Sequence, residues 1–385
     1  MDRTHAERKG IAVIGIRGLP ANYGGLETCA EELTRRWAAE GHDVRVYCRS
    51  NRYAEKPAEL NGVQLVYTPS LNTKSLDTLS HTLCSIVHLI FTGSRYRYVH
   101  LYNTGNSIFL PLLKLFRKKV ILSGDGIEWR REKWGMLAKL VHRMGEKFAV
   151  WMADRIVVDN LEVERYYTEK YGVRTSLIAY GAKDIEVDKP YSAELLNKHK
   201  LKAGEYFLFV GRLAPEKGVH NLITAYEALR TDFPLVIIGD DPAGGDYRDQ
   251  LFARESEKIR FLGFVYDRDY EQLLINALMY VSASELEGTS PSLVSAMGAG
   301  VCSLVNGIDE NIATVHGAAY TYKRDDTMAL IDLWQRLIDT PADIEAMGNA
   351  GRRCVEQYYR WDAIAEQYID VLEQISAGVT EHEPA

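Results

Sequence analysis

The sequence predicts an α/β protein built from two doubly wound domains, and three observations carry that expectation. Short apolar runs alternate with helix-length amphipathic segments along nearly the whole chain. Runs such as GIAVIGIRG (10–18) and FLFVG (207–211) are continuously apolar, as in parallel strands covered on both faces. The alternation breaks at the charged, proline-containing stretch 183–205 and then restarts, in a chain of 385 residues, more than one core usually serves. Sheets of this kind bind ligands at the carboxyl ends of their strands, so two such domains facing each other predict one central cleft.

In the first domain GIAVIGIRG forms a strand ending in glycine, and ETCAEELTRRWAAEG (27–41) a helix stopped by Gly41. DVRVYC (43–48) is the next strand. SLDTLSHTLCSIVHLIF predicts a mostly apolar helix, RYVHLYN a strand and NSIFLPLLKLF another helix. KVILSGDG is a strand running into a loop, KWGMLAKLVHRMGEKFAVWMA a long helix, DRIVVDN a strand, LEVERYYTEKYG a helix and TSLIAYG a strand. Residues 183–203 read as the linker region. Beyond it the strands FLFVG, LVIIG, KIRFLG, LMYVSAS and VCSLVN alternate with helices, and the chain is helical from about Pro341 to Ser376. Its final amphipathic stretch, WDAIAEQYIDVLEQI, is expected to cross back onto the first domain. The expected division is therefore 1–187, 188–360, and a C-terminal helix with a polar tail over 361–385.

Composition excludes several classes. No tract reaches the roughly 20 apolar residues of a membrane helix, and the polar start MDRTHAERKG predicts no signal peptide. Cys29, Cys48, Cys84, Cys302 and Cys354 are scattered without a metal-like spacing, which predicts reduced thiols in the cytoplasm. The ten histidines show no ligand pairing, and the aspartates of GDDPAGGD (239–246) read as an acidic surface loop, so no metal is expected. The net charge is -7, with no basic stripe, which argues against nucleic acid. That charge is uneven: Lys and Arg are in surplus up to residue 187 and Asp and Glu after it, which suits only the first half to an anionic surface.

The chemistry-bearing stretches fall in the carboxyl-end loops. GRLAPEKG (211–218) closes a strand and opens a helix. It reads either as an ordinary charged turn or as an anion site, where unpaired helix N–H groups, Arg212 and Lys217 would meet a phosphate. SASELEGTSPSLVSAMGAG (282–300) places Gly288, Thr289 and Ser290 at a helix start, behind the carboxylates of Glu285 and Glu287. Backbone N–H groups and hydroxyls suit phosphate oxygens, and carboxylates suit sugar hydroxyls; Ser290 also reads simply as an N-cap. The first loop, GIRGLPANYGGLET, has neither a Walker lysine nor GxGxxG, so a dinucleotide or NTP-hydrolysing reading is poor. Its Gly24 and Gly25 precede a helix and suit close approach of a diphosphate, or a plain turn.

GRLAPEKG, EGTSPSLVSAMGAG and the YGGLE loop resemble retaining nucleotide-sugar glycosyltransferases of the GT-B fold over nearly the whole chain. GIRGLPANYGGLET, GDGIEWRREKW, IAYGA and GTSPSLVSAMGAG resemble more narrowly a bacterial branch that includes rhamnosyltransferases of cell-surface polysaccharide assembly. The resemblance implies that Arg212 and Lys217 bind the donor diphosphate and stabilise the leaving group, with Gly211 in the same turn and Gly288, Thr289 and Ser290 over the same phosphates. It implies that Gly25 faces them from the first domain, that Phe264 and Val265 border the base, and that Asp125 lies beside the reacting sugar with Glu128 and Trp129 toward the acceptor. There is one departure. The family carries two glutamates separated by seven residues; Glu287 holds the first position and Ser295 the second. Losing a charged acceptor for the ribose would cost on the order of 1.5–3 kcal/mol of donor binding. Which of Glu285 and Glu287 faces the sugar stays open.

The expected function is therefore transfer of a sugar, rhamnose or another hexose, from a nucleoside-diphosphate sugar to a glycan or lipid-linked acceptor with retention. The departing phosphate would help deprotonate the attacking hydroxyl, and no metal would be needed. A GT-B epimerase or phosphorylase, or a non-catalytic homologue encouraged by Ser295, are the alternatives. KLFRKK (114–119) and the helix 134–152 combine cations with apolar residues, which predicts peripheral attachment to an anionic membrane surface at the inner face of the cytoplasmic membrane.

Overall fold

A computed structural model describes residues 8–21, 25–73, 76–124, 129, 136–182, 185, 193–241 and 244–378. The chain divides into two compact units, one of Met1–Tyr180 with Trp361–Ala385, the other of Gly181–Arg360.

The first unit holds an eight-stranded sheet of β1 (Gly10–Ile14), β2 (Asp43–Arg49), β3 (Glu59–Leu60), β4 (Val63–Thr68), β5 (Tyr98–Tyr102), β6 (Lys119–Gly124), β7 (Arg155–Val158) and β8 (Ser176–Leu177). Their order is β3-β4-β2-β1-β5-β6-β7-β8, parallel throughout except for the β3–β4 pair. Its helices are α1 (Gly25–Ala39), α2 (Asp77–Thr92), α3 (Leu110–Leu115), α4 (Met136–Met152) and α5 (Leu161–Tyr171). The apolar run of β1 serves two cores because alternate side chains leave opposite faces. Ile11 and Val13 meet Trp37 of α1 on one side. Ala12 and Ile14 meet Ile86 and Leu89 of α2, Leu113 of α3 and Ala149 of α4 on the other.

The second unit has a six-stranded parallel sheet of β9 (Phe207–Val210), β10 (Leu235–Ile238), β11 (Ile259–Phe261), β12 (Met279–Ser282), β13 (Cys302–Asn306) and β14 (Tyr320–Tyr322). The order is β11-β10-β9-β12-β13-β14. Its helices are α6 (Ala193–Lys198), α7 (Val219–Glu227), α8 (Asp246–Phe252), α9 (Asp267–Ile275), α10 (Pro291–Gly298), α11 (Asp309–Val315), α12 (Thr327–Asp339) and α13 (Pro341–Tyr358).

The last helix, α14 (Trp361–Ser376), belongs to the first unit. Ile364, Tyr368 and Leu372 enter the core that contains Trp37, whose Nε1 donates to Ala365 O at 3.1 Å. Arg36 pairs with Asp362 at 2.6 Å and Lys9 with Glu373 at 3.1 Å.

Two details differ from the sequence reading. The division falls after Tyr180 rather than after residue 187, because Ala182 N already donates to Tyr359 O of the second unit at 2.8 Å. The stretch expected as a linker contains α6, whose Leu195 and Leu196 are buried and which packs on α9.

Candidate active site

The second unit gathers its predicted residues along the carboxyl edge of its sheet. β9 ends at Val210, and Gly211 N donates to Ile238 O of β10 at 2.9 Å. The two strand ends come so close that a Cβ on Gly239 would lie 1.9 Å from Gly211 O. Pro215 then opens a 3-10 turn over Pro215–Lys217, and Gly218 reverses the chain at φ 61° into α7. A Cβ on Gly218 would sit 2.1 Å from Ala283 O, so the turn is pressed against the end of β12. Glu285 N donates to Glu216 O at 2.9 Å and ties it there.

That clamp fixes the side chains. Lys217 Nζ lies 2.7 Å from Glu287 Oε1, with the two side chains only 16% and 12% exposed. Glu285 turns instead to α7, where its Oε1 accepts from Asn221 Nδ2 at 3.1 Å. Of the two carboxylates, Glu287 joins the lysine and Glu285 does not. Arg212 stands 70% exposed, its Nη2 3.5 Å from Glu216 Oε1, so its guanidinium is available to a ligand.

Gly288 and Thr289 lead into the N-terminus of α10, which Ser290 caps by accepting from Leu293 N. Ser292 Oγ donates to Val210 O at 3.1 Å, which fastens this helix start to the end of β9. The start of α10, Lys217 and Arg212 therefore border one stretch of sheet edge, an arrangement suited to an anion.

At the neighbouring strand end, Gly239 N donates to Gly263 O at 2.8 Å. The turn beyond carries Phe264, Val265 and Tyr266, and the rings of Phe264 and Tyr266 stack at 6.0 Å and 14° with both exposed. Sequence reasoning named Phe264 and missed Tyr266; the i, i+2 aromatic spacing in FVYD was the available signal. Ser295 is buried on α10 and shares a hydrogen bond with Tyr270 of α9, whose hydroxyl is pushed up to about 12 by burial, against the effect of Ser295. Asp240 is gripped by Arg248 through two bonds of 2.6 and 3.1 Å, which hold its carboxyl below the usual range. Among the described residues no three His, Cys, Asp or Glu side chains cluster as a metal would require.

In the first unit, Gly25 starts α1, and a Cβ there would meet only a Tyr180 ring carbon at an ordinary 3.7 Å. Packing alone does not demand glycine at that position. The first loop is held by α1: Arg17 N donates to Glu27 Oε1 at 3.1 Å and Ala21 N to Glu31 Oε2 at 2.8 Å. Gly24, Asp125 and Glu128 lie outside the described residues. Trp129 donates from Nε1 to Tyr166 OH at 3.2 Å, with the Arg143 guanidinium 4.5 Å above its ring.

Comparison with known proteins agrees with this architecture. Residues 192–354 match the family of glycosyl transferases group 1, and residues 24–181 match the glycosyl transferase 4-like domain. Alpha-maltose-1-phosphate synthase of Mycobacterium tuberculosis is 30% identical over 44% of this chain and 48% of its own. D-rhamnosyltransferase WbpZ of Pseudomonas aeruginosa is 32% identical over 39% of each chain. The matches thus span about half, or less, of these curated relatives. The structure of HepE from Anabaena in complex with UDP and glucose superposes with a TM-score of 0.74 at 16% identity, covering 94% of this chain and 99% of that one. The chain is thus similar to group 1 glycosyl transferases over residues 192–354 and to a glycosyl transferase 4-like domain over residues 24–181, and its fold is GT-B.

Proposed function

We propose that the protein transfers a hexosyl or deoxyhexosyl group, rhamnose among the candidates, from a nucleoside-diphosphate sugar to a glycan or lipid-linked acceptor with retention, in surface polysaccharide synthesis. The observation that carries this reading is the Lys217–Glu287 pair, clamped beside Arg212 and the start of α10. In the proposed mechanism the diphosphate lies on Arg212, Lys217 and the backbone of Gly288, Thr289 and Ser290. Both cations stabilise the charge that develops on the leaving phosphate. Glu287 orients the Lys217 ammonium and offers its second oxygen to a sugar hydroxyl. Phe264, Val265 and Tyr266 border the base, Gly25 adds a backbone approach, and Asp125, Glu128 and Trp129 serve the acceptor side. The attacking hydroxyl loses its proton to the departing phosphate on the same face, so no side-chain nucleophile and no divalent ion is required.

The relatives support the choice of chemistry. One is a D-rhamnosyltransferase, and a protein of the same fold has been seen with UDP and glucose. A second reading, a non-catalytic homologue that binds within a polysaccharide-assembling complex, is favoured by one observation: Ser295 gives its hydroxyl to Tyr270. An assay of UDP-, GDP- and dTDP-sugars with lipid-linked glycan acceptors in EDTA separates the two. Transfer with the donor's anomeric configuration kept in the product supports the enzyme; inverted product, complete and reversible loss in EDTA, or no turnover with any donor contradicts it.

A further inference from the structure

In the sheet of the second unit the strand order reverses between β9 and β12, the point at which open α/β sheets leave a crevice at their carboxyl ends. The pairing shows the opening. β9 stays paired with β10 up to Val210 and β12 with β13 up to Ser282, but β9 and β12 pair only as far as Leu208 and Tyr280. Carbonyls two residues apart leave a strand on the same edge. Tyr206 O accepts from Leu278 N at 2.8 Å across that edge, so Val210 O faces the same way, toward a strand no longer paired with it.

A hydroxyl of α10 fills that place. Ser292 Oγ lies 3.1 Å from Val210 O, 3.1 Å from Tyr280 OH and 3.2 Å from Ser290 Oγ. A serine hydroxyl has one proton to give and two lone pairs with which to accept. A carbonyl can only accept, so the proton goes to Val210, and Tyr280 and Ser290 both donate to Ser292. Ser290 in turn accepts from Leu293 N at 3.5 Å as the cap of α10. Tyr280 is buried, and burial pushes its hydroxyl up, so it stays a donor.

These contacts close a ring. One side of it is the GRLAPEKG turn, which leaves β9 at Val210. The other is the loop from the end of β12 to the start of α10. At the far end the two sides are joined by backbone, Glu285 N to Glu216 O at 2.9 Å, with Gly218 pressed on Ala283 O. At the near end they are joined by the side chain of Ser292. Lys217 and Glu287 pair across the middle.

We infer that Ser292 and, behind it, Tyr280 are positioning residues for the donor diphosphate, a role that rests on the donor site proposed above. Both act through others. Ser292 sets the distance between the start of α10 and the GRLAPEKG turn, and Tyr280 holds the Ser292 hydroxyl where it reaches Val210. Without them the helix start that carries Gly288, Thr289 and Ser290 is free to move off the end of β9. The phosphate oxygens then lose part of their contacts, while Lys217 keeps its place against Glu287.

The test is calorimetric titration of the full chain with inorganic pyrophosphate in EDTA. Wild type is compared with S292A, S292T, Y280F, the double variant S292A/Y280F, and K217A, with a circular dichroism melt of each. S292A is expected to weaken pyrophosphate binding about tenfold and Y280F about threefold, the range for one neutral hydrogen bond. S292T keeps the hydroxyl and should bind as wild type does. Because Tyr280 acts through Ser292, the double variant should match S292A rather than multiply the two losses. Y280F removes a single atom and leaves Ser292 on Val210, so it carries the test if S292A does not fold. With K217A weakened, three results would overturn the inference: wild-type affinity in either folded single variant, a loss in S292T equal to that in S292A, or fully multiplied losses in the double variant. No binding by wild type, or undiminished binding by K217A, overturns the donor site itself and this inference with it.

Discussion

Lys217 and Glu287 are separated by seventy positions in sequence and 2.7 Å in space, and their contact makes the two cations of GRLAPEKG inequivalent. Lys217 is sequestered against a carboxylate, and Arg212 stands in solvent. Both substitutions to alanine are expected to lower turnover by roughly 10²–10³, the scale for losing one preorganised stabilising donor. Their stabilities should separate. Lys217→Ala strands the Glu287 carboxylate, 12% exposed, and is expected to cost ~1–3 kcal/mol. Arg212→Ala removes a surface contact of 3.5 Å, and its melting midpoint should match wild type. Calorimetry beside initial rates checks both halves, and rates within tenfold of wild type for both variants would remove them from the site. At this scale the sequence made the residue types and the turn legible, because glycine, arginine and lysine between a strand and a helix have few uses. It could not show which carboxylate met Lys217, since that depends on how far the 216–218 turn is pressed toward the end of β12. Nor could it show that Ser295 is turned to Tyr270, a contact between two helices.

At the scale of elements, the turns that carry the site are held by close backbone approach. Gly218 and Gly172 have nearly the same backbone, φ 61° and 63°, and opposite surroundings. A Cβ on Gly218 meets Ala283 O at 2.1 Å, and one on Gly172 meets nothing within 4 Å. Gly172→Ala is expected to cost only the left-handed penalty of ~1–2 kcal/mol with activity intact. Gly218→Ala should cost more and lower activity as well, because the turn that positions Lys217 must move. Equal melting midpoints and equal rates for the two variants would contradict this account.

Two buried histidines of the first unit make it sensitive to acid. Burial pushes His100 down to about 3 and His81, also beside Arg49, down to about 4. Both are neutral in the folded protein, and the unfolded chain takes up a proton on each near pH ~6.5. Their contribution is therefore fully present above pH ~6.5 and is lost as pH falls toward 4. The slope approaches about 1.4 kcal/mol per pH unit for each histidine. Denaturant melts between pH 7 and 4.5 should show it, and His100→Gln, which can keep a bond to Ser123, should reduce the slope. A slope unchanged by that substitution would rule out His100 as its source. Continuous apolar strands such as β1 were readable because both faces are covered. The β3–β4 hairpin was not read, although Asn61 and Gly62, at φ 51° and 80°, form the Asn-Gly turn that marks one.

At the scale of the whole molecule, each unit has its own sheet and its own cores, and the chain's charge is divided between them. The second unit offers a local anion site at one sheet edge of an otherwise acidic half, and the first is the basic half. The helix α14 was legible as amphipathic, and its place in the first unit follows from Trp37 and Tyr368 sharing one core. The boundary was less legible, because the polar sequence before α6 looks like a linker while its leucines are buried.

The central claim is that the second unit binds a nucleoside-diphosphate sugar through Lys217. Thermal denaturation of the full chain in EDTA, with UDP-, GDP- and dTDP-sugars each titrated, tests it most directly. The account predicts that one nucleotide series raises the melting temperature with saturation, approaching ~2.7 kcal/mol of added stability at a hundred times its Kd, and that Lys217→Ala abolishes the rise. No shift with any of the three, or an equal shift in the variant, would contradict it.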